Sequence, residues 1–295
     1  KNQIIRLLDM MLTTFLKAKK VDYILIDTYS TSSFWYAFFC SQIARLMNTK
    51  YIPILHGGDL PNRLKKNPYL CKLIFKNAHA NVAPSNYLFK KFKDNGFENL
   101  VFIPNSIQLE EYEFKSRVNI KPNLLWVRAF AEIYNPKMAV VVLDLLKNKY
   151  PKATLTMVGP DKDGSLQTTK AFAESLNLKI NFTGKRSKKE WTDLAKEYDI
   201  FINTTHFDNT PVSVLEAMAL GLPIVSTNVG GIPYMLNNNE NALLVTDDNS
   251  NEMVGAIQSL LNNDTLVQKL TSNAKVLVNN VDWQVVKLKW KELLD

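Results

Sequence analysis

The chain has 295 residues, 46% hydrophobic and 22% charged, with a formal net charge of +8, which suits two soluble domains of about 100–200 residues each. Cys40 and Cys71 are too few for a disulfide framework, sit in apolar surroundings and suit a reducing compartment. No apolar run approaches the roughly 18–20 residues of a membrane span, and no signal peptide is visible.

The chain opens on Lys1 rather than Met, which suits a fragment. Its charge is unevenly placed. Residues 1–120 hold 17 Lys/Arg against 9 Asp/Glu, a surplus of 8, while residues 121–295 hold 19 of each. A basic half can face nucleic acid, an anionic membrane or an acidic ligand, or can be a merely solvated surface.

Helical periodicity comes first, over 4–18. Candidate strands follow at 23–26, 51–55, 81–83 and 101–103, with helical patterns at 34–47 and 86–94. The polar, weakly periodic stretch 106–123 reads as a linker. After it come strands at 124–127, 153–158, 179–183, 200–203, 223–226 and 242–245, with helices including 137–148, 188–197 and 252–261. Alternating strands and helices imply parallel sheets of βαβ units. The fold class is therefore α/β: two Rossmann-like domains with parallel sheets facing a cleft, the first lacking its opening strand. Ligands of such sheets bind at the carboxyl ends of the strands.

The stretch FDNTPVSVLEAMALG, 207–221, carries the sharpest chemistry. Thr210-Pro211 reads as an N-cap followed by Pro at the first helical position. The helix that follows is apolar nearly all round, with only Ser213 and Glu216 polar, and Gly221 ends it. A buried carboxylate costs several kcal/mol unless something meets it. Helical side chains lean towards the N-terminus, so Glu216 reaches back to the helix start. The free N–H groups of Val212 and Ser213 there favour an anion. A nucleotide fits both features, its phosphates on the N–H groups and its ribose hydroxyls on Glu216. A structural Glu–Lys or Glu–Arg pair fits Glu216 as well.

The run FDNTPVSVLEAMALGLPIVSTNVGG, with HGG after the strand at 51–55, IPNS at 103–106, FTG at 182–184 and Trp283, resembles the signature of glycosyltransferase family 4. The resemblance covers the chain from about residue 20 to the end. It implies the GT-B fold and retaining transfer from a nucleotide sugar without a metal cofactor. Glu216 would bind the ribose. Asp208, where the family usually has Glu, and His56 would face the donor sugar as catalytic groups. Gly230 and Gly231 would bring backbone close to the donor, or form a plain tight turn. Arg128 and Lys137 would hold the diphosphate, although Val127 replaces the usual Gly and the Arg–Lys spacing is longer. Gly159 either approaches the donor or simply ends a strand. Gly57 and Gly58 would let backbone approach a ligand, and Asp59 would bind an acceptor hydroxyl or cap its turn.

Other signals are weaker. Lys185 and Arg186, just after FTG, read either as contacts to base or phosphate or, more simply, as solvated charge. Asp161 and Asp163 form a DxD pattern in a Pro/Gly turn, which Asp favours in any case. His56, His79 and His206 lack zinc-site spacing, and no G-x-G-x-x-G follows a strand. The patches RLKK (63–66) and FKKFK (89–93) suit an anionic membrane. The basic half lacks the aromatic platform of a single-strand nucleic-acid binder.

The expected division is 1–117 for the acceptor side, 118–280 for the nucleotide sugar, and 281–295 as a helix packing back. The expected function is transfer of a sugar to a glycan or lipid-linked acceptor, in the cytoplasm and peripherally at the membrane face. The alternative is a non-catalytic nucleotide-sugar-binding fragment or partner subunit.

Overall fold

The computed structural model describes residues 3–295; Lys1 and Asn2, where the first expected domain begins, lie outside the described residues. The chain forms two units. The first takes residues up to Asn105 and, again, Val286–Asp295; the second takes Ser106–Val285.

In the first unit α1 (Gln3–Lys17), β1 (Tyr23–Thr28), α2 (Phe34–Leu46), β2 (Lys50–Leu55), α3 (Leu60–Lys66), α4 (Pro68–Phe75), β3 (Asn81–Ala83), α5 (Asn86–Asp94) and β4 (Leu100–Phe102) follow in order. The four strands pair in parallel in sequence order. One face is packed by Phe34, Leu55, Phe75, Leu88 and Phe92. The other carries Ile52, Val82 and Ile103 under Val286. β1 is an edge strand, and α1 leaves Ile4, Ile5, Leu8, Leu12, Phe15 and Leu16 exposed.

The second unit runs β5 (Asn123–Val127), α6 (Pro136–Lys147), β6 (Thr154–Val158), α7 (Ser165–Ser175), β7 (Asn181–Gly184), α8 (Lys188–Ala195), β8 (Ile200–Asn203), α9 (Val212–Ala219), β9 (Ile224–Thr227), β10 (Leu243–Val245), α10 (Ser250–Leu261) and α11 (Asp264–Asn279). α12 (Trp283–Leu294) starts here and continues into the first unit. The strand order is β10-β9-β8-β5-β6-β7, all parallel. Helices cover both faces of this sheet, so its central strands are largely buried: β8 is buried at all four positions and Leu124, Leu125 and Trp126 of β5 are buried. Each large side chain buried here contributes ~1.5–3 kcal/mol. The two parallel sheets have the expected α/β, GT-B-like character.

The stretch read as a linker is anchored to the second unit. Arg117 is 3% exposed, and its guanidinium donates to the carbonyls of Leu220 at 2.7 Å, Tyr198 at 3.0 Å, Lys115 at 3.0 Å and Ala195 at 3.2 Å. Burial pulls it down to about 10, so it stays charged at neutral pH. The division therefore falls at Asn105 and Val286, against the expected 117 and 281. A polar sequence concealed one buried cation whose donors meet backbone carbonyls.

The basic patches also differ from their sequence pattern. Arg63 donates to the carbonyls of Ser30 and Thr31 and lies over the Phe34 ring, so it ties a loop down. Phe92 of FKKFK is buried against Phe75 and Phe97. Lys65, Lys66, Lys90 and Lys93 remain exposed. Among the described residues no helix is long and apolar enough to cross a membrane.

Candidate nucleotide-sugar site

In the second sheet β6 and β7 extend one way from β5 and β8 the other, so the strand order reverses between β5 and β8. Ligands of open parallel sheets bind at such a point, outside the carboxyl ends of the strands. The loop after β5 begins with Arg128, and the loop after β8 leads to Asp208. Their side chains form an ion pair. The Asn209 N–H supports the same carboxylate at 2.8 Å, and the Arg128 guanidinium lies 4.3 Å from the Tyr134 ring centroid. Burial pushes the Asp208 carboxyl up, against the pull of Arg128.

A pocket of about 360 Å³ opens at this end, lined among others by Arg128, Gly159, Lys185, Arg186, Trp191 and Ser213. Arg128 Nε, Thr210 Oγ1 and Ser213 Oγ are buried without a hydrogen-bond partner among the described residues. Such orphans are uncommon, each costing roughly 1–3 kcal/mol. Two of them belong to side chains that line this pocket.

Lys185 and Arg186 are exposed, as their reading as solvated charge expects, and also line the pocket beside Arg128; Arg186 reaches Glu190 at 3.5 Å. They follow β7 as Arg128 follows β5, so the shared rule of strand carboxyl ends was the available signal. Lys137 stands elsewhere. It lines a different pocket, of about 530 Å³, with Glu132, Asp163 and His206. The three residues between Arg128 and the helical turn Glu132–Tyr134 carry the chain away before α6 starts.

Helix α9 begins one residue later than expected. Pro211, not Thr210, occupies the N-cap position, and its carbonyl accepts the N–H groups of Val214 and Leu215. The N–H groups of Val212 and Ser213 precede those bonds and have no intrahelical acceptor. Val214, Leu215, Ala217 and Met218 are buried, and the helix faces Ala274 and Val278 of α11.

Glu216 is 8% exposed and has partners within the chain. Tyr112 Oη donates to its Oε1 at 2.7 Å, and Lys188 Nζ lies 3.7 Å from the same oxygen. Burial raises the carboxyl, and the Tyr112 hydrogen bond and Lys188 pull it back. Tyr112 lies in the stretch read as a linker and gave no sequence signal of its own.

The glycines support loops of the chain itself. A Cβ on Gly159, where φ is +154°, would overlap the Arg128 carbonyl oxygen, so Gly159 lets the β5 loop settle against β6. A Cβ on Gly231 would overlap the Asn209 carbonyl, and one on Gly230, φ +54°, the Asp208 carbonyl. The Gly231 N–H donates to the Asp208 carbonyl at 2.8 Å. The Gly-Gly turn therefore clamps the loop that presents Asp208. Asp161 and Asp163 accept backbone N–H groups at the start of α7.

In the first unit His56 follows β2. Its Nε2 is 2.9 Å from Asp27 Oδ1 at the end of β1, and its ring stacks on Tyr29 at 5.4 Å. Gly57 lies against the Ser30 backbone N–H, where a Cβ has no room. Gly58 and Asp59 form the turn into α3, and the Asp59 carboxylate accepts from the Asn62 amide.

The chain is similar to several known proteins. An uncharacterized glycosyltransferase of Methanocaldococcus jannaschii is 25% identical over 274 residues, covering 88% of this chain and 74% of that one. One of Haemophilus influenzae is 27% identical over 159 residues, covering 52% of this chain and 43% of the relative. The N,N'-diacetylbacillosaminyl-diphospho-undecaprenol alpha-1,3-N-acetylgalactosaminyltransferase of Campylobacter jejuni is 28% identical over 250 residues, 77% of this chain and 62% of that one. Anabaena HepE, solved with UDP and glucose, superposes with a TM-score of 0.83 at 18% identity, covering 96% of this chain and 80% of that one. The sequence profile of the family glycosyl transferases group 1 matches residues 109–277, which include Arg128, Lys185, Asp208, Ser213 and Glu216, and the chain belongs to that family.

Proposed function

We propose that the chain transfers a sugar from a nucleotide-diphosphate sugar to a glycan or lipid-linked acceptor, with retention of the anomeric configuration. One observation carries this reading: the pocket beside β5, β6 and β7 gathers Arg128, Lys185 and Arg186 around the buried, unpartnered Ser213 Oγ. Three cations and an orphaned hydroxyl suit a diphosphate, and the first N–H groups of α9 add to them. Positive charge aimed at the leaving diphosphate stabilises the charge that develops there. The cations of the chain supply that charge, so this reading needs no metal. Glu216 takes the ribose hydroxyls. Asp208, released when phosphate occupies Arg128, faces the donor sugar, and His56, held by Asp27, serves as the other catalytic group. Gly57, Gly58 and Asp59 serve the acceptor. The exposed Lys65, Lys66, Lys90 and Lys93 support a membrane-bound acceptor, met at the cytoplasmic face.

A thermal-shift series with UDP-, GDP- and ADP-sugars tests the donor site. At least one sugar nucleotide raises Tm in the parent and not in Glu216→Ala; a shift that survives the substitution removes the assignment. NMR of the released or transferred sugar reports the anomer. An inverted product overturns retention, and bound but unreacted donor leaves a non-catalytic binder.

A further inference from the structure

The Glu216 carboxylate is met on one side only. The Tyr112 phenol and the Lys188 ammonium both approach Oε1, and among the described residues no hydrogen bond or ion pair reaches Oε2. Tyr112 is itself 8% exposed, and Lys188 lies over its ring at 5.4 Å while also pairing with Glu111 at 3.1 Å. A buried phenol turns about only two side-chain bonds, so a hydrogen bond from it holds a carboxylate more narrowly than a flexible lysine does. Burial and the neighbouring Glu216 both push the Tyr112 hydroxyl up, which keeps it a donor throughout the neutral range.

We propose that Tyr112 is a positioning residue for nucleotide recognition: by occupying Oε1 of Glu216 it sets Oε2 towards the ribose hydroxyls and thereby makes the site selective for ribonucleotides over deoxyribonucleotides. This rests on the reading of Glu216 as the ribose ligand. Tyr112 touches no ligand atom; it acts through the carboxylate. A carboxylate oxygen that accepts from a ribose hydroxyl must already point at it, because reorienting a buried acid on binding costs affinity. Loss of the phenol hydroxyl leaves Glu216 free to turn towards Lys188, and the preference for the ribose hydroxyl fades.

Isothermal titration of the full chain with UDP and 2′-deoxy-UDP, or with the GDP or ADP pair if that base binds better, tests the proposal. The parent binds the ribonucleotide about tenfold or more tightly than its deoxy counterpart. Tyr112→Phe brings that ratio below about threefold, chiefly by weakening the ribonucleotide, while the deoxy affinity stays near the parent value. Tyr112→Met, which refills the same space without a donor, repeats the result and serves if Tyr112→Phe does not fold. A tyrosine with a merely structural role lowers Tm and leaves the ratio unchanged, which overturns the inference and leaves the donor site standing. A parent that binds none of these nucleotides overturns both.

Discussion

Arg128 and Asp208, 80 residues apart, form an ion pair across the point where the strand order of the second sheet reverses. Arg128 follows β5 and Asp208 follows β8, so the pair ties together two loops at the carboxyl ends of these strands. Its own burial is incomplete, with 21% of the Arg128 side chain and 10% of the Asp208 side chain exposed. Arg128 Nε keeps a free donor beyond the pair.

Removing one partner strands the other charge in low dielectric. Arg128→Met and Asp208→Ala are each expected to destabilise by about 3 kcal/mol, the lower end for a buried pair. The double variant costs clearly less than the two together. Urea unfolding of all four proteins measures the cycle, and additive single effects contradict the coupling.

Glu216 and Asp208 both have carboxyls raised by burial. A raised acid binds more protons folded than unfolded. Its contribution to stability is full below the unfolded value and is lost as pH rises through the folded one. Glu216→Gln has no such loss. The Tm of this variant relative to the parent therefore rises as pH increases from about 4, the ordinary carboxylate range, to 7. Differential scanning calorimetry across that range checks the sign, and a falling difference is incompatible with it.

The two groups of cations outside Arg128 are expected to separate. The double variant Lys185→Ala/Arg186→Ala weakens nucleotide-sugar binding by about tenfold or more, since charge-assisted hydrogen bonds contribute about 1.5–3 kcal/mol. Lys137→Ala, in the other pocket, changes it by less than about twofold. Titration with the sugar nucleotide found by thermal shift decides between them, and the reverse ranking returns the diphosphate to Lys137.

Two glycines predict opposite signs. Gly255 lies in α10, exposed and with nothing near its missing Cβ, so Gly255→Ala stabilises by about 0.5–1 kcal/mol through helix propensity. Gly231→Ala drives a methyl into the Asn209 carbonyl. It displaces the Asp208 loop and lowers both Tm and nucleotide affinity. Equal Tm effects in the two variants contradict the account of the Gly-Gly turn.

The ten strands and their parallel character could be read from the chain alone. A sheet covered on both faces needs short apolar runs bounded by turn residues, and that pattern is local. Arg128, Gly159, Ser213 and Glu216 were legible for a related reason: each stands just after a strand or on the helix that follows one. The partners of these residues were not legible. Tyr112 and Glu216 are 104 residues apart, and nothing in a polar stretch marks which tyrosine turns inwards. Lys185 and Arg186 are solvated as read, and it is the order of β5, β6 and β7 that brings their loop beside Arg128. Periodicity and turn chemistry act over a few residues and determine the elements. The order in which strands pair, and which loops therefore meet at their carboxyl ends, depends on burial summed over the whole unit, and only the tertiary structure decided it.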